Sequence, residues 1–224
     1  MIDIIYEDNS ILICRKPAGL AVQNASIGKK DLESMVRTYL VEKEGKAAPY
    51  LGIIHRLDQP VQGLVVFAKN KKSAASLSTQ VQDGRMKKYY LAVTDGIPEE
   101  KSGELIHYLK KDGRTNTSMS VSEKMPGAKK ASLKYRVKEE RGQRALLEIE
   151  LFTGRHHQIR FQLAAAGFPI AGDRKYHPGA DALSGMGLCA CRLELIHPQT
   201  AKKMTFSCEP EGEPFSEFAL KCET

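Results

Sequence analysis

The feature that most constrains the fold is a block of four consecutive β-type segments in the middle of the chain. They read GELIHYLKKD, TSMSVSEK, ASLKYRVKEE and RALLEIELFTG, and apolar and polar residues alternate in each. Turn residues separate the segments, which predicts neighbouring antiparallel strands in a meander.

Further strands are predicted on both sides of this block, with three helices among them. The strand segments are IDIIYED, ILICRKP, GLVVFAKN, KKYYLAVTDG, GLCACRLELIHP and KKMTFSCEP. The segment from Leu32 has helical spacing, with Asp31 as its N-cap and Gly45 after its end. SAASLSTQVQDG predicts a second helix, and TGRHHQIRFQLAAAG predicts a third that Thr153 caps. Because βαβ alternation is absent, the class is α+β: one domain over residues 1–224, with a large mixed, mostly antiparallel sheet flanked by helices and loops.

The charge distribution indicates a polyanionic partner. The net charge is +7, but the last 16 residues carry −4, so residues 1–208 carry +11. The excess is clustered in KNKK, RMKK, LKKDGR and GAKK. This pattern favours nucleic acid, although solvated lysine-rich faces would explain the same composition. The apolar runs are too short for a membrane span and the N-terminus does not resemble a signal peptide, so a cytoplasmic protein without membrane association is expected.

The cysteines and histidines predict no metal site. The cysteines are Cys14, Cys189, Cys191, Cys208 and Cys222, an odd set with no tight disulfide framework. The CxC pair alternates on a strand, which predicts two buried thiols on one face. CxC alone does not supply a ligand set, and His156 and His157 are adjacent, so they cannot share one helical face.

Common catalytic fingerprints are absent, but four other stretches concentrate reactive residues. The sequence has no GxGxxG, GxxxxGK[ST], HExxH or GxSxG. It does contain KPAGL at 16–20, HRLD at 55–58, KKYY at 87–90 and GRHHQIR at 154–160. KPAGL is a tight turn of the kind that fixes a loop close to a site. Taken alone, Asp58 is most simply a carboxylate that caps the turn before Pro60.

Taken in series, these stretches resemble the RluA-type pseudouridine synthases over nearly the whole chain. The matches are HRLD with the strand after it; KxYxA at Lys88, Tyr90 and Ala92; TGRxHQIR from Thr153 to Arg160; GDxxY at Gly172, Asp173 and Tyr176; and LxAxRLxxxHP from Leu188 to Pro198. The resemblance implies the catalytic fold of that family, with a central active-site cleft.

The resemblance also implies the reaction: isomerisation of uridine to pseudouridine in structured RNA, in ribosomal RNA before transfer RNA. The N-glycosidic bond breaks, the uracil turns over, and it rejoins the ribose through C5. These steps need no redox change, metal, cofactor or energy source. They need a carboxylate beside C1′ or C2′ of the ribose, and the resemblance gives this role to Asp58, as nucleophile or as base.

Two more catalytic residues and a set of RNA contacts are implied in the same way. Arg160 is implied as the ion-pair partner that keeps a desolvated Asp58 ionised. Tyr90 is implied to stack on the flipped base, and Arg56 to fill the gap that the base leaves. The other RNA-binding residues are His55, Lys88, Arg155 and His157; for the last two, structural support is the alternative.

Two departures from the family pattern bear on the choice of substrate. Val61 and Gln62 stand where the family has small hydroxyl residues, and Cys189 stands where it has histidine. The chain starts at the first catalytic strand, so no separate N-terminal RNA-binding domain is expected. A monomer is also expected. The alternative function is a catalytically silent RNA-binding protein of the same fold. A nucleoside hydrolase would need a metal-binding Asp cluster, which the sequence lacks.

Overall fold

The computed structural model describes residues 2–23, 30–45, 47–180 and 185–218, so Cys222 lies outside the described residues. In chain order the elements are β1 (Asp3–Glu7), β2 (Ile11–Lys16), α1 (Leu32–Glu44), β3 (Gly52–Ile53), β4 (Gln62–Ala68), α2 (Lys71–Gln82), β5 (Lys87–Asp95), β6 (Ser102–Asp112), β7 (Thr117–Ser120), β8 (Lys129–Arg141), β9 (Arg144–Leu151), α3 (Gln158–Ala165), β10 (Leu188–Ile196), β11 (Lys203–Ser207) and α4 (Glu213–Ser216). Every strand and helix predicted from the sequence has a counterpart here, while β3 and α4 were not predicted.

The chain forms two compact units. Of the described residues, the first unit contains 2–87 and 190–209, and the second contains 88–180, 185–189 and 210–218. The single domain over residues 1–224 stays a prediction.

The first unit is built around β4, whose seven residues are all buried. Its strand order is β1-β2-β4-β10, with β3 also on β4 and β11 on β10. Strands β2 and β4 pair antiparallel from Ile11 and Ala68 to Lys16 and Gly63. Gly63 has φ 122°, and a Cβ there would lie 2.4 Å from the carbonyl oxygen of Ala190. Only glycine therefore allows the chain to enter β4 this close to β10.

Helix α1 begins and ends where the sequence predicts. The Asp31 carboxylate accepts a hydrogen bond from the Ser34 amide at 2.8 Å, and the Ser34 hydroxyl accepts one from the Asp31 amide at 3.2 Å. This reciprocal capping box satisfies two amides that the helix leaves unpaired. Gly45 follows with φ 67°, the left-handed conformation that ends many helices.

The second unit holds the four central segments together with β5, in the order β5-β9-β8-β6-β7. The neighbouring strands of this unit pair antiparallel, as predicted. The predicted simple meander is wrong, because Leu109 of β6 pairs with Ser120 of β7 on one side and with Lys129 of β8 on the other. Strand β7 has only four residues, and residues 121–128 carry the chain past β6 to its opposite edge.

The predicted N-cap of α3 is also wrong. The helix starts at Gln158 after His157, which has φ 49° and makes no side-chain cap. The Thr153 hydroxyl donates instead to the Gln158 side-chain oxygen at 2.7 Å. The Arg155 amide donates to the same oxygen at 3.0 Å, so this glutamine side chain closes the turn before the helix.

The four described cysteines are buried and form no disulfide, which agrees with the prediction of buried thiols at Cys189 and Cys191. Among the described residues, no three His, Cys, Asp or Glu side chains converge as a metal-ligand group. None of the helices in this part of the chain combines the length and the apolar character needed to span a bilayer.

Candidate active site

The predicted catalytic loop lies in the first unit, between β3 and β4. Leu57 and Val61 are buried on either side of Asp58, and the Val61 amide donates to the Asp58 carbonyl at 3.0 Å. His55 turns back onto the sheet, where its Nε2 accepts a hydrogen bond from the Val66 amide at 3.3 Å. The Asp58 side chain remains partly exposed, so the loop presents a carboxylate between two buried anchors.

Lys16, at the end of β2, is fully buried with 0% exposure. Its ammonium donates to three main-chain carbonyls: those of Pro17 at 3.0 Å, Leu20 at 2.6 Å and Gln59 at 3.0 Å. These bonds use all three ammonium donors. Lys16 therefore joins the KPAGL turn to the residue directly after Asp58.

Two further hydrogen bonds connect the same turn and loop. The Gly19 amide donates to the Gln59 carbonyl at 2.9 Å, and the Gln59 side-chain amide donates to the Gly19 carbonyl at 3.0 Å. Burial lowers the pKa of Lys16 to about 8, and the charge of Asp58 opposes that shift. The turn thus fixes the catalytic loop, as its sequence predicts, and places a cation within electrostatic reach of Asp58.

Lys88 and Tyr90 lie on one face of β5 in the second unit, since strand side chains alternate. Tyr90 pairs in register with Ile149 of β9 and is buried. Lys88 is 9% exposed; burial lowers its pKa, and the charge of Arg155 lowers it further. Tyr89 belongs to the opposite, more exposed face.

Arg160 projects from α3 into a buried ion pair with Asp173. Its Nε and Nη2 donate to the two carboxylate oxygens, each at 2.7 Å, with 4% and 0% of the side chains exposed. The guanidinium also lies 5.3 Å from the ring centre of Tyr176. The GDxxY motif therefore fixes Arg160 with a carboxylate on two nitrogens and an aromatic face.

His157 is part of the same cluster. Its Nδ1 shares a hydrogen bond of 3.0 Å with the hydroxyl of Tyr176, which also accepts one from the Ser118 amide at 2.6 Å. Burial and then the charge of Arg160 lower the pKa of His157 to about 3. A neutral, buried imidazole braces Tyr176, and its assignment to RNA stays a prediction.

The predicted site residues fall in both units. His55, Arg56 and Asp58 belong to the first, while Lys88, Tyr90, Arg155, His157 and Arg160 belong to the second. Within the second unit, the charge of Arg155 lowers the pKa of Lys88, and Tyr176 contacts both His157 and Arg160. Arg56 is exposed. The ion pair between Asp58 and Arg160, like every residue role above, stays a prediction.

Sequence reasoning missed the functions of Lys16, Asp173 and Tyr176. Each had been noted as part of a motif, and that membership was the available signal. What could not be read from the motifs was that a lysine would bind main-chain carbonyls, or that an arginine assigned to Asp58 would be held by a second carboxylate.

Comparison with known proteins identifies relatives of the whole folded region. The chain is 33% identical over 201 residues to the RNA pseudouridine synthase YhcT of Bacillus subtilis, covering 89% of this chain and 65% of that protein. It is also 33% identical over 218 residues to ribosomal large subunit pseudouridine synthase D of Neisseria meningitidis, covering 92% of this chain and 57% of that protein. The chain thus spans less than two thirds of the length of these relatives.

Solved structures show the same fold. Human RNA pseudouridylate synthase domain containing 4 superposes with a TM-score of 0.76 at 22% identity, covering 92% of this chain and 87% of that chain. Human RNA pseudouridylate synthase domain containing 1 gives 0.75 at 21% identity, covering 94% and 84%. The predicted α+β class with a mostly antiparallel sheet is confirmed. Residues 10–165 match the family model described as RNA pseudouridylate synthase, and the chain belongs to that family.

Proposed function

We propose that this chain is an RNA pseudouridine synthase, an isomerase that converts specific uridines of structured RNA to pseudouridine. The observation that carries the proposal is the extent of the family match. Residues 10–165 include Asp58, Tyr90 and Arg160, so all three proposed catalytic residues fall inside the matched region. The reaction needs no metal or cofactor, and RNA is the partner.

The proposed chemistry begins at Asp58. Its carboxylate acts on the ribose, either as a nucleophile at C1′ or as a base toward C2′, and the uracil leaves as an anion that is kept and rejoined through C5. No second acid is assigned to the leaving group, in contrast to a glycosidase that releases its product to water. The anchors at Leu57, Val61 and Lys16 support this role, because a reacting carboxylate must be held in one position.

The other residues take the roles that the family resemblance implies. Tyr90 stacks on the flipped base, and Arg160 keeps Asp58 ionised. Arg56, exposed beside Asp58 in sequence, fills the gap left in the RNA, which offsets part of the cost of unstacking. His55, Lys88, Arg155 and His157 contact or support the RNA.

Ribosomal RNA is the proposed substrate in preference to transfer RNA. Two relatives are named as ribosomal large subunit pseudouridine synthases, D in Neisseria meningitidis and C in Buchnera aphidicola. The second is 30% identical over 211 residues. The net charge of +7 suits a polyanionic substrate of either kind.

Tritium release from RNA labelled at C5 of uridine tests the reaction, because C5 exchanges its hydrogen for the glycosidic bond. The substrate is total RNA from a strain that lacks the protein. We expect release by the wild type and none by Asp58→Asn, which keeps the shape of the side chain and removes its charge. Asp83→Asn, at an exposed carboxylate after α2, is the matched control and should match the wild type.

Absence of release by the wild type would reject the proposal. RNA binding that persists without release would favour the catalytically silent RNA-binding protein instead. Mapping the uridine that stays unmodified in the deletion strain would decide between ribosomal and transfer RNA.

A further inference from the structure

The ammonium group of Lys88 has no acceptor within the described part of the chain. The side chain is 9% exposed, and no hydrogen bond or ion pair involves it there. A largely buried cation without a protein acceptor is costly, since it has lost most of its contact with water and gained no hydrogen bond in return. A bound ligand that supplies the missing acceptor would offset this cost.

The surroundings of this ammonium are cationic and open on one side. A Cβ at Gly154 would lie 3.5 Å from the Lys88 Nζ, so glycine leaves the approach to the ammonium clear. Arg155 follows directly, is exposed, and donates from Nε to the Lys130 carbonyl at 2.9 Å. Among the described residues, no carboxylate forms an ion pair with Lys88 or Arg155.

The turn that carries Gly154 and Arg155 is held in place before any ligand binds. The Gln158 side-chain oxygen accepts hydrogen bonds from Thr153 and from the Arg155 amide, and its amide donates to the Ser132 carbonyl at 3.1 Å. A site that is already ordered binds its ligand with less loss of entropy.

We propose that Lys88 and Arg155, with Gly154 between them, form a subsite for one phosphodiester group of the RNA backbone. The subsite rests on the proposed function and adds to it a contact for one phosphate of the substrate. Lys88 and Tyr90 are two residues apart on one face of β5, which places their side chains about 7 Å apart along the strand. The bound phosphate therefore belongs next to the nucleotide whose base meets Tyr90.

The chemistry of the two side chains specifies an anion with several acceptor oxygens. A lysine ammonium is a compact point charge, and an arginine guanidinium offers a planar fork of donors that fits phosphate oxygens. Two adjacent cations repel a metal ion. A phosphodiester satisfies the ammonium and relieves the repulsion between the two positive groups.

Binding of a short fluorescein-labelled oligouridylate, followed by anisotropy over a series of KCl concentrations, tests the subsite. For single-stranded RNA, each lost phosphate contact reduces the slope of log affinity against log salt by about 0.7. We expect Lys88→Met to lower affinity about tenfold, as for one charge-assisted hydrogen bond, and to reduce the slope by that amount. Gly154→Ala should act in the same direction without altering charge, because its methyl group obstructs the ammonium.

Lys134→Met is the matched control, since Lys134 is an exposed lysine of β8 in the same unit. It removes the same charge without a proposed contact and should leave the slope close to that of the wild type. Lys88→Met should also unfold at a urea concentration no lower than the wild type, because the variant removes a buried unpaired charge. Marked destabilisation would indicate a structural lysine and overturn the proposal.

Three other results would overturn it as well. They are equal salt slopes for Lys88→Met and the wild type, absence of salt-dependent binding by the wild type, and Lys88-dependent binding of inorganic phosphate without any change in the oligouridylate slope. The last would indicate a site for free phosphate. Tritium release by the wild type, measured in parallel, separates failure of the subsite from failure of the proposed reaction.

Discussion

Apart from histidine, three basic residues are buried among the described residues, and their charges meet different surroundings. Lys16 binds three carbonyl oxygens, and Arg160 binds a carboxylate through two nitrogens. Lys88 has neither kind of partner within the described chain. Since an uncompensated buried charge is costly, the first two can be explained by the fold alone, whereas the third points to the substrate.

The pKa of Lys16 predicts how kcat depends on pH, and the cause lies within the protein. Lys16→Met removes the ammonium that joins the turn to Gln59, so we expect kcat to fall tenfold or more. In the wild type, kcat should fall as pH rises through about 8, where Lys16 loses its proton. The variant should lack this limb of the pH profile. Tritium release at saturating RNA measures both effects.

The stability of the protein should not follow the same pH course. The pKa of Lys16 falls from 10.5 to about 8 on folding, so the folded state binds fewer protons between these values. The titration of this group therefore adds stability as pH rises from about 8 to 10.5. Urea unfolding should show no loss assignable to Lys16 in this range. Lys72→Met, at an exposed lysine of α2, is the control for both measurements. If kcat of Lys16→Met still fell as pH rose through about 8, the prediction for kcat would be contradicted.

At the scale of elements, the positions of the strands in the sequence were easier to predict than the order in which the strands pair in the sheet. The alternation of β6, β8 and β9 identifies them as strands, because one face of each is more shielded from solvent than the other. The order of β6, β7 and β8 was wrong because alternation carries no information on which edge a strand joins. The start of α3 was wrong because Thr153 has a second partner, a side chain five residues later. Local rules do not include such competing partners.

The ion pair between Arg160 and Asp173 connects α3 to the GDxxY turn, and its loss has two separable effects. Arg160→Met leaves the buried Asp173 carboxylate without its cation and with only the Lys175 amide, among the described residues, as a donor, so we expect the free energy of unfolding to fall by about 3–5 kcal/mol. Adding Asp173→Asn removes that charge and should restore part of the stability. If Arg160 also keeps Asp58 ionised, tritium release should stay abolished in the double variant.

Urea unfolding and tritium release on the same samples measure the two effects. Asp112→Asn, at an exposed turn of the same unit, controls for the loss of one carboxylate. Recovery of turnover along with stability in the double variant would show that Arg160 acts on structure alone.

At the scale of the whole molecule, the sequence alone identified the family and led to a proposed reaction, and it left the geometry of the predicted site open. Five motifs in fixed order indicate a family because their joint occurrence by chance is rare, even where each motif is weak. Lys16 in the first unit, and Asp173 and Tyr176 in the second, hold predicted site residues of their own unit through contacts between residues far apart in sequence. Such contacts depend on tertiary packing, which a linear pattern does not contain.

The uneven charge of the chain predicts how its affinity for RNA depends on salt. Residues 1–208 carry +11, so binding to structured RNA should release many counterions. We expect the logarithm of affinity to fall linearly with the logarithm of KCl concentration, by tenfold or more over a fourfold rise in salt. Filter binding to ribosomal RNA transcripts measures this, and urea unfolding over the same salt series controls for effects on the fold. An affinity that does not change with salt would contradict the prediction.

Lys16 restrains the loop around Asp58 without using the side chains of residues 61 and 62. The ammonium binds carbonyl oxygens, which every amino acid carries, so this part of the restraint after Asp58 does not depend on which side chain follows. The bond from the Gln59 side chain to the Gly19 carbonyl adds to it. Val61 and Gln62 can therefore replace the hydroxyl residues of the family without releasing the loop. Because both side chains are buried, their exchange alters the packing beneath the loop rather than its exposed surface, while the main chain that carries Asp58 stays restrained.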